Sequence, residues 1–363
     1  MIKKLFPFIL ILLCFNNGYS LNLVETNLKH IIGVQIFNFD KKYRYDLDQY
    51  FSSLKKAGIN TVFVRVFQNN TDRIHFDAHS FCKSGVYYHT DVSCTVFDLL
   101  DYIIPYAKKY DIDVFAWMAT RSLSFLKERY GFETEERDGN IQYGYGVNIF
   151  QSDVQKDLIK LFVDLSKYDI DGILIQDDFI LRMGEGLSEL SKDRYYVDYG
   201  KLPLKNDIDW YIWKMESLSS FLEKIKYEVK KVNPKIKIAV NIYYETPLFE
   251  ENGLKWYAQS IDRYKKLDFP YFAVMAYHRQ IMDELNINFM GVLTYINNMS
   301  ISLHRKLESQ NILMKIQIRE FNKSRNKLDD TEVKSVCNLI SNYGFGIIYV
   351  PFEELSDLKY QCF

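Results

Sequence analysis

Two adjacent carboxylates, Asp177 and Asp178, close the run Asp-Gly-Ile-Leu-Ile-Gln-Asp-Asp that begins at Asp171. The apolar residues after Gly172 read as a strand buried on both faces, the pattern of a parallel sheet. Two acids at the end of such a strand are costly to desolvate, so they belong at the edge of a cleft. A carboxylic acid that gives its proton to a leaving oxygen, with a second group that stabilises or attacks the anomeric carbon, is the chemistry of glycosidic-bond hydrolysis. Strand alternation places Leu174, Gln176 and Asp178 on one face and Ile173, Ile175 and Asp177 on the other. A polar amide is better tolerated toward an open mouth than against packed helices, so Asp178 is expected to point into the site as the proton donor, beside Gln176. Asp177 is then expected to lie sideways, able to hydrogen-bond a neighbour, orient a substrate group or cap the next segment. Glu245 and Glu320 are further candidates for the second role.

The elements that must carry these residues alternate β and α along the chain. Apolar, β-branched runs are expected as strands at Ile31–Phe37, Thr61–Phe67, Val114–Ala119, Gly172–Gln176, Ile236–Ile242, Tyr271–Ala276, Ile312–Ile318 and Phe345–Val350. Segments of helical periodicity fall between them, at about Leu47–Ala57, Val96–Tyr110, Val154–Tyr168, Ile208–Val232, Leu254–Leu267, Phe289–Gln310 and Thr331–Tyr343. Eight strands with seven intervening helices predict a closed (β/α)8 TIM barrel in a single α/β domain. No G-x-G-x-x-G follows the first strand and no phosphate-loop motif is present, which disfavours an open doubly wound sheet.

Chemistry in such a barrel gathers where strands end, and the residues at the ends of seven of the expected strands are mostly acids, amides and aromatic rings. They are Asp40 after the first strand, Gln68 and Asn69 after the second, Trp117 and Arg121 at the third, and Gln176 with the acid pair at the fourth. The fifth strand carries Asn241 and delivers Tyr243, Tyr244 and Glu245; the sixth reaches Tyr277 and His278; the seventh gives Gln317, Arg319 and Glu320. Amides and acids bind hydroxyls, and flat rings stack on the C–H face of a pyranose. Asp40, Trp117, Gln176, Asn241, Tyr243, Tyr244, Tyr277 and Glu320 are therefore expected to bind substrate. Trp210 and Trp213 follow helical spacing, and core packing is favoured for both.

The chain has 363 residues, 48% hydrophobic, with a formal net charge of −1, enough to bury a full core. Lys and Arg are interspersed with acids, which argues against nucleic acid as a partner. Lys3 and Lys4, the apolar Leu5–Phe15 and the small residues around Ser20 read as a secretory signal over residues 1–20, with the barrel over 21–363 and no membrane span after cleavage. Export to a periplasmic or extracellular space fits the four cysteines that remain, with Cys82 to Cys94 and Cys337 to Cys362 the pairs considered, although four thiols allow three connectivities. His75, His79 and His89 lack a secure helix to present them, so no metal site and no cofactor is expected.

The segments Gly58–Phe67, Asp113–Met118, Asp171–Asp178 continuing to Leu181 and Glu185, and Asn241–Tyr243 through Trp256–Asp262 resemble the hydrolase domain at the C-terminus of PgaB-type periplasmic poly-β-1,6-N-acetylglucosamine deacetylases. The likeness spans nearly the whole chain beyond the signal. It implies an endoglycosidase acting on partly deacetylated poly-β-1,6-N-acetylglucosamine, a biofilm exopolysaccharide, with the Asp-Asp carboxylates in the catalytic position and exopolysaccharide export machinery as a partner. Gln176 stands where that family commonly has His, Met183 stands where a further acid is expected, and no Thr-Phe-Asp-Asp deacetylase metal motif is present. The loss at Met183 keeps a second reading open, a non-catalytic polysaccharide-binding barrel in an export or adhesion system.

Overall fold

The computed structural model describes residues 29–39, 46–72, 82–204, 206–322 and 324–360. Eight parallel strands close a barrel: β1 (Ile32–Ile36), β2 (Thr61–Arg65), β3 (Asp113–Met118), β4 (Gly172–Ile175), β5 (Lys237–Ile242), β6 (Tyr271–Ala276), β7 (Ile312–Gln317) and β8 (Gly346–Phe352). Each strand pairs with its sequence neighbours, and β8 returns to β1, where Val34 faces Tyr349. All eight expected strands are present, with ends shifted by no more than two residues. β6 shows why they were readable: every residue from Tyr271 to Ala276 is buried, inward against the barrel axis or outward against helices.

Two apolar layers result. Phe63, Phe115, Leu174, Tyr271, Leu313 and Ile348 fill the barrel interior, and the outward residues join the larger cluster beneath the helices. Gly172 opens β4 because the Phe115 ring occupies the space beside it; a Cβ there would stand 2.2 Å from Phe115 Cε1. Above the apolar filling, the inward positions turn polar, with Gln35 on β1, Asn241 on β5, and Lys315 and Gln317 on β7, all buried.

The long helix Ile208–Val232 has the expected bounds, and the expected helix Leu254–Leu267 divides. It becomes Glu250–Tyr257 and Ile261–Lys266, separated where Ala258 adopts a left-handed φ of 51°. The break frees Gln259, whose amide donates to the Asn241 carbonyl at 3.0 Å and accepts from the Tyr243 N–H at 3.1 Å, pinning the end of β5. Elements absent from the sequence reading include the helix Ser124–Tyr130, the helix Glu189–Tyr199, the helix His278–Leu285 and a hairpin of Thr134–Arg137 with Asn140–Tyr143. The loop after β2 is closed by the Cys82–Cys94 disulfide; Cys362, and with it the second pair considered, lies outside the described residues. The expected signal segment also lies outside them. No helix among the described residues is long and apolar enough to cross a membrane.

Candidate active site

A cleft of about 1370 Å³ opens at the carboxyl ends of the strands, with Asp177, Gln176, Trp117, Tyr277, Lys315 and Glu320 among its lining residues. A depression of about 910 Å³ lies at the other end of the barrel, beside Asn311 and Gly344, which precede β7 and β8. Barrel chemistry belongs to the carboxyl end, so the first is the candidate site.

The two aspartates take the opposite orientations to those expected. β4 ends at Ile175, and Gln176–Asp178 form a turn, so strand alternation no longer governs them. Asp177 is half-buried and lines the cleft. Asp178 is buried and turned into the loop that follows β3, where it accepts hydrogen bonds from Thr120 N at 2.9 Å, Thr120 Oγ1 at 2.8 Å, Ser122 N at 2.8 Å and Ser122 Oγ at 2.7 Å. A carboxylate held by four donors has its lone pairs committed to the loop and is poorly placed to give a proton to a ligand. Asp178 as the cleft-facing acid is thus corrected by its surroundings.

Asp177 has the environment of a poised acid. Burial raises its carboxyl above the ordinary carboxylate range, the Lys315 charge opposes that rise, and the neighbouring Asp178 adds to it. Lys315 rises from the barrel floor with its ammonium 2.8 Å from Asn241 Oδ1 and 5.4 Å above the Tyr277 ring. Burial pulls that ammonium down to about 8, with Asp177 opposing. Tyr243 donates its hydroxyl to the Asp177 carbonyl at 3.2 Å and stacks on Tyr257 at 3.9 Å, fixing the turn that presents the acid.

Of the residues expected to bind substrate, Trp117, Gln176, Tyr277 and Glu320 line the cleft. Trp117 is held edge-on against Phe37 at 4.6 Å, and Tyr277 against Phe321 at 4.9 Å. The others are placed differently. Asn241 is buried behind the floor, joining the Ile175 carbonyl at 2.7 Å to Lys315, so it acts on the cleft through that lysine. Glu245 accepts from Tyr257 at 2.9 Å and is not among the residues lining the cleft, against the expectation of a catalytic place there. Tyr244 is buried in the outer core, its hydroxyl bonded to Glu284 at 2.6 Å and its ring against Tyr295, because β5 has already turned outward at that position. Tyr244→Ala is accordingly expected to lower unfolding free energy by about 3 kcal/mol in a denaturant titration, as for other large core truncations. Asp40 lies outside the described residues, as do His75 and His79. Trp210 and Trp213 stack on each other at 5.0 Å and pack against Tyr195, a core role.

Arg121, read from the sequence as a mouth residue, is instead wholly buried and paired with Glu185 at 2.8 Å, with both side chains fully covered. Burial pushes the Glu185 carboxyl up, but Arg121 and the backbone N–H groups of Arg182 and Tyr145 hold it below its ordinary value. Lys214, pulled by burial down to about 7, caps the carbonyls of Arg182, Met183 and Glu185. This assembly fixes the β4 loop beneath the cleft. Arg121→Met strands the Glu185 charge and is expected to cost about 3–5 kcal/mol of stability, measurable by denaturant unfolding.

Sequence reasoning missed Lys315 and Gln35, although the signal was there: a cation and an amide inside runs that are otherwise apolar on both faces. Gln35 is wholly buried, and neither of its amide atoms has a partner among the described residues; Trp117 Nε1 and Gln176 Oε1 are likewise unpartnered. Buried polar groups are rarely left unsatisfied, and three such side chains on one cleft mark a surface built for polar ligand groups.

A closed parallel barrel whose carboxyl end gathers a desolvated acid, unpartnered amides and aromatic walls is the architecture of a barrel glycoside hydrolase. The chain belongs to the family described as hypothetical glycosyl hydrolase family 13 (GHL13), whose model matches residues 36–349. It is a glycoside hydrolase by that membership. Among solved structures it is similar to the PgaB (BpsB) glycoside hydrolase domain from Bordetella bronchiseptica, with a TM-score of 0.72 at 18% identity over 89% of this chain and 94% of that one. The fold is also shared with the catalytic domain of a β-amylase from Paenibacillus polymyxa (TM-score 0.58, 12% identity, 92% and 97% covered). A β-galactosidase from Bacillus circulans sp. alkalophilus shares it too (0.61, 14%, 88% and 50%). No curated protein matches the sequence.

Proposed function

We propose that the protein is an exported endoglycosidase that cleaves partly deacetylated poly-β-1,6-N-acetylglucosamine, with Asp177 as the general acid. The observation that carries this reading is Asp177 itself, a carboxylic acid with a raised pKa on the wall of a cleft that also offers unpartnered amides and aromatic faces. In the reaction the bond between the anomeric carbon and the bridging oxygen breaks, the Asp177 proton passes to that leaving oxygen, water supplies the new anomeric hydroxyl, and the proton that the water loses restores the acid form of Asp177. Two groups suit the other side of the anomeric carbon: the substrate's own 2-acetamido oxygen, or Glu320 from across the cleft. The substrate assignment rests on the sequence resemblance to the PgaB-type hydrolase domain, and export on the N-terminal segment of residues 1–20.

Incubation of the purified protein with β-1,6-linked glucosamine oligomers of defined acetylation, followed by mass spectrometry, tests the reading. Shorter oligomers are expected; intact oligomers across every acetylation pattern would reject this substrate. Lys315 supplies an independent check on the acid. Its positive charge lowers the pKa of Asp177, so Lys315→Met is expected to keep the acid protonated to higher pH. The alkaline limb of the kcat/KM profile should move upward; a downward shift would mean that Lys315 acts on some other group.

A further inference from the structure

We propose that the hairpin Thr134–Arg137 with Asn140–Tyr143 is a second polysaccharide-binding surface, which holds the part of the sugar chain that has left the cleft. The proposal rests on the glycosidase reading and extends it beyond the cleft.

Four large apolar side chains are exposed here: Tyr143 is 76% exposed, Ile141 64%, Tyr145 45% and Phe132 40%. Ile141 and Tyr143 share one face of their strand by alternation, and the Phe132 ring lies 5.6 Å from that of Tyr143. The surface adjoins the cleft through two side chains. Tyr145 and Lys127 both line the cleft, and the Lys127 ammonium sits 5.6 Å above the Phe132 ring. A ligand leaving the cleft past these two side chains meets Phe132 and Tyr143 next.

The hairpin backbone is pinned to the β4 loop, so the strand that carries Tyr143 is in place before a ligand arrives. Glu136 N donates to the Gly184 carbonyl at 2.9 Å, Gly186 N donates to the Thr134 carbonyl at 3.2 Å, and Glu135 bridges to Glu185, the partner of Arg121. Gly184 permits this docking; a Cβ there would lie 2.3 Å from the Glu136 carbonyl oxygen. A backbone that is already fixed has no loop to order on binding, which favours a weakly interacting partner such as a sugar. A protein partner fits poorly, because a few side chains fall well short of the ~800 Å² per partner of a standard interface.

The test compares wild type with the Phe132→Ala/Tyr143→Ala double variant on partly deacetylated poly-β-1,6-N-acetylglucosamine and on its oligomers of increasing length. The variant is expected to raise KM about tenfold on the polymer and to stay within about twofold of wild type on the shortest oligomer cleaved. Thermal stability should be unchanged, since both side chains are exposed. Equal losses on short and long substrates, or no loss on either, would overturn the platform. Co-sedimentation with the polymer separates this proposal from the hydrolase reading. Wild type that binds the polymer and cleaves nothing, with binding lost in the variant, would reject the polymer as the hydrolysed substrate and leave the platform standing. Wild type that neither binds nor cleaves would overturn both.

Discussion

Asp177→Asn is expected to lower kcat on the polysaccharide by at least about a hundredfold, the lower range for loss of a general acid. The amide keeps the size of the side chain and its place on the cleft wall but has no proton to give at neutral pH. KM should change little, since Trp117, Gln176 and Tyr277 still line the cleft. Stability should move the other way. A carboxyl whose pKa is raised in the folded state contributes stability below its unfolded pKa and loses it as pH rises through the folded value. Above its folded pKa the Asp177 charge is therefore a liability, and there the neutral amide should unfold at higher denaturant. The advantage should vanish in acid, where Asp177 is protonated in both states. A variant that is inactive and also less stable would mark Asp177 as a structural residue.

Asp178→Asn is expected to fail for a different reason. The amide nitrogen would turn a second donor toward groups that are themselves donors, the N–H and hydroxyl of Thr120 and of Ser122. Buried donors left without acceptors, together with the lost charge-assisted bonds, are expected to cost about 3 kcal/mol, read as a lower midpoint in urea at unchanged slope. Activity falls with the loop, so both kcat and KM should suffer. The pair of variants is informative as a pair: an inactive, stable Asp177→Asn beside a destabilised Asp178→Asn distinguishes the acid from its scaffold. If Asp178→Asn were stable and inactive, the proton donor would be Asp178 and the cleft would have to open differently in solution.

The barrel was legible because its strands are buried on both faces. Runs such as Tyr271–Ala276 and Ile312–Gln317 have no exposed side to confuse with a helix or an edge. The ends of strands were less so. Alternation correctly set Gln176 toward the cleft, then failed one residue later, because the chain turns after Ile175 and a turn has no period of two. The same limit explains Tyr244, whose neighbour Tyr243 stays near the acid while Tyr244 enters the outer core. Arg121 reads as a residue of the barrel mouth because its buried partner, Glu185, lies 64 residues along the chain. The hairpin carries a signal of its own in the sequence. Asp138-Gly139 joins Arg137 to Asn140 with both residues at positive φ, 52° and 79°, as a two-residue turn demands. Its flanking strands are too polar to register as hydrophobic runs. Lys315 was hidden by the opposite bias, since an apolar run draws the eye past the single charge within it.

A substrate whose leaving group needs no proton tests the role of Asp177 most directly. Wild type and Asp177→Ala should be compared on the β-1,6-linked oligosaccharide and on an aryl glycoside of the same sugar carrying a dinitrophenyl leaving group. If Asp177 donates the proton, the variant will be almost inactive on the oligosaccharide and will approach wild-type rates on the aryl glycoside, because dinitrophenolate departs without protonation. Equal losses on the two substrates would contradict the assignment and return Asp177 to a binding or structural role.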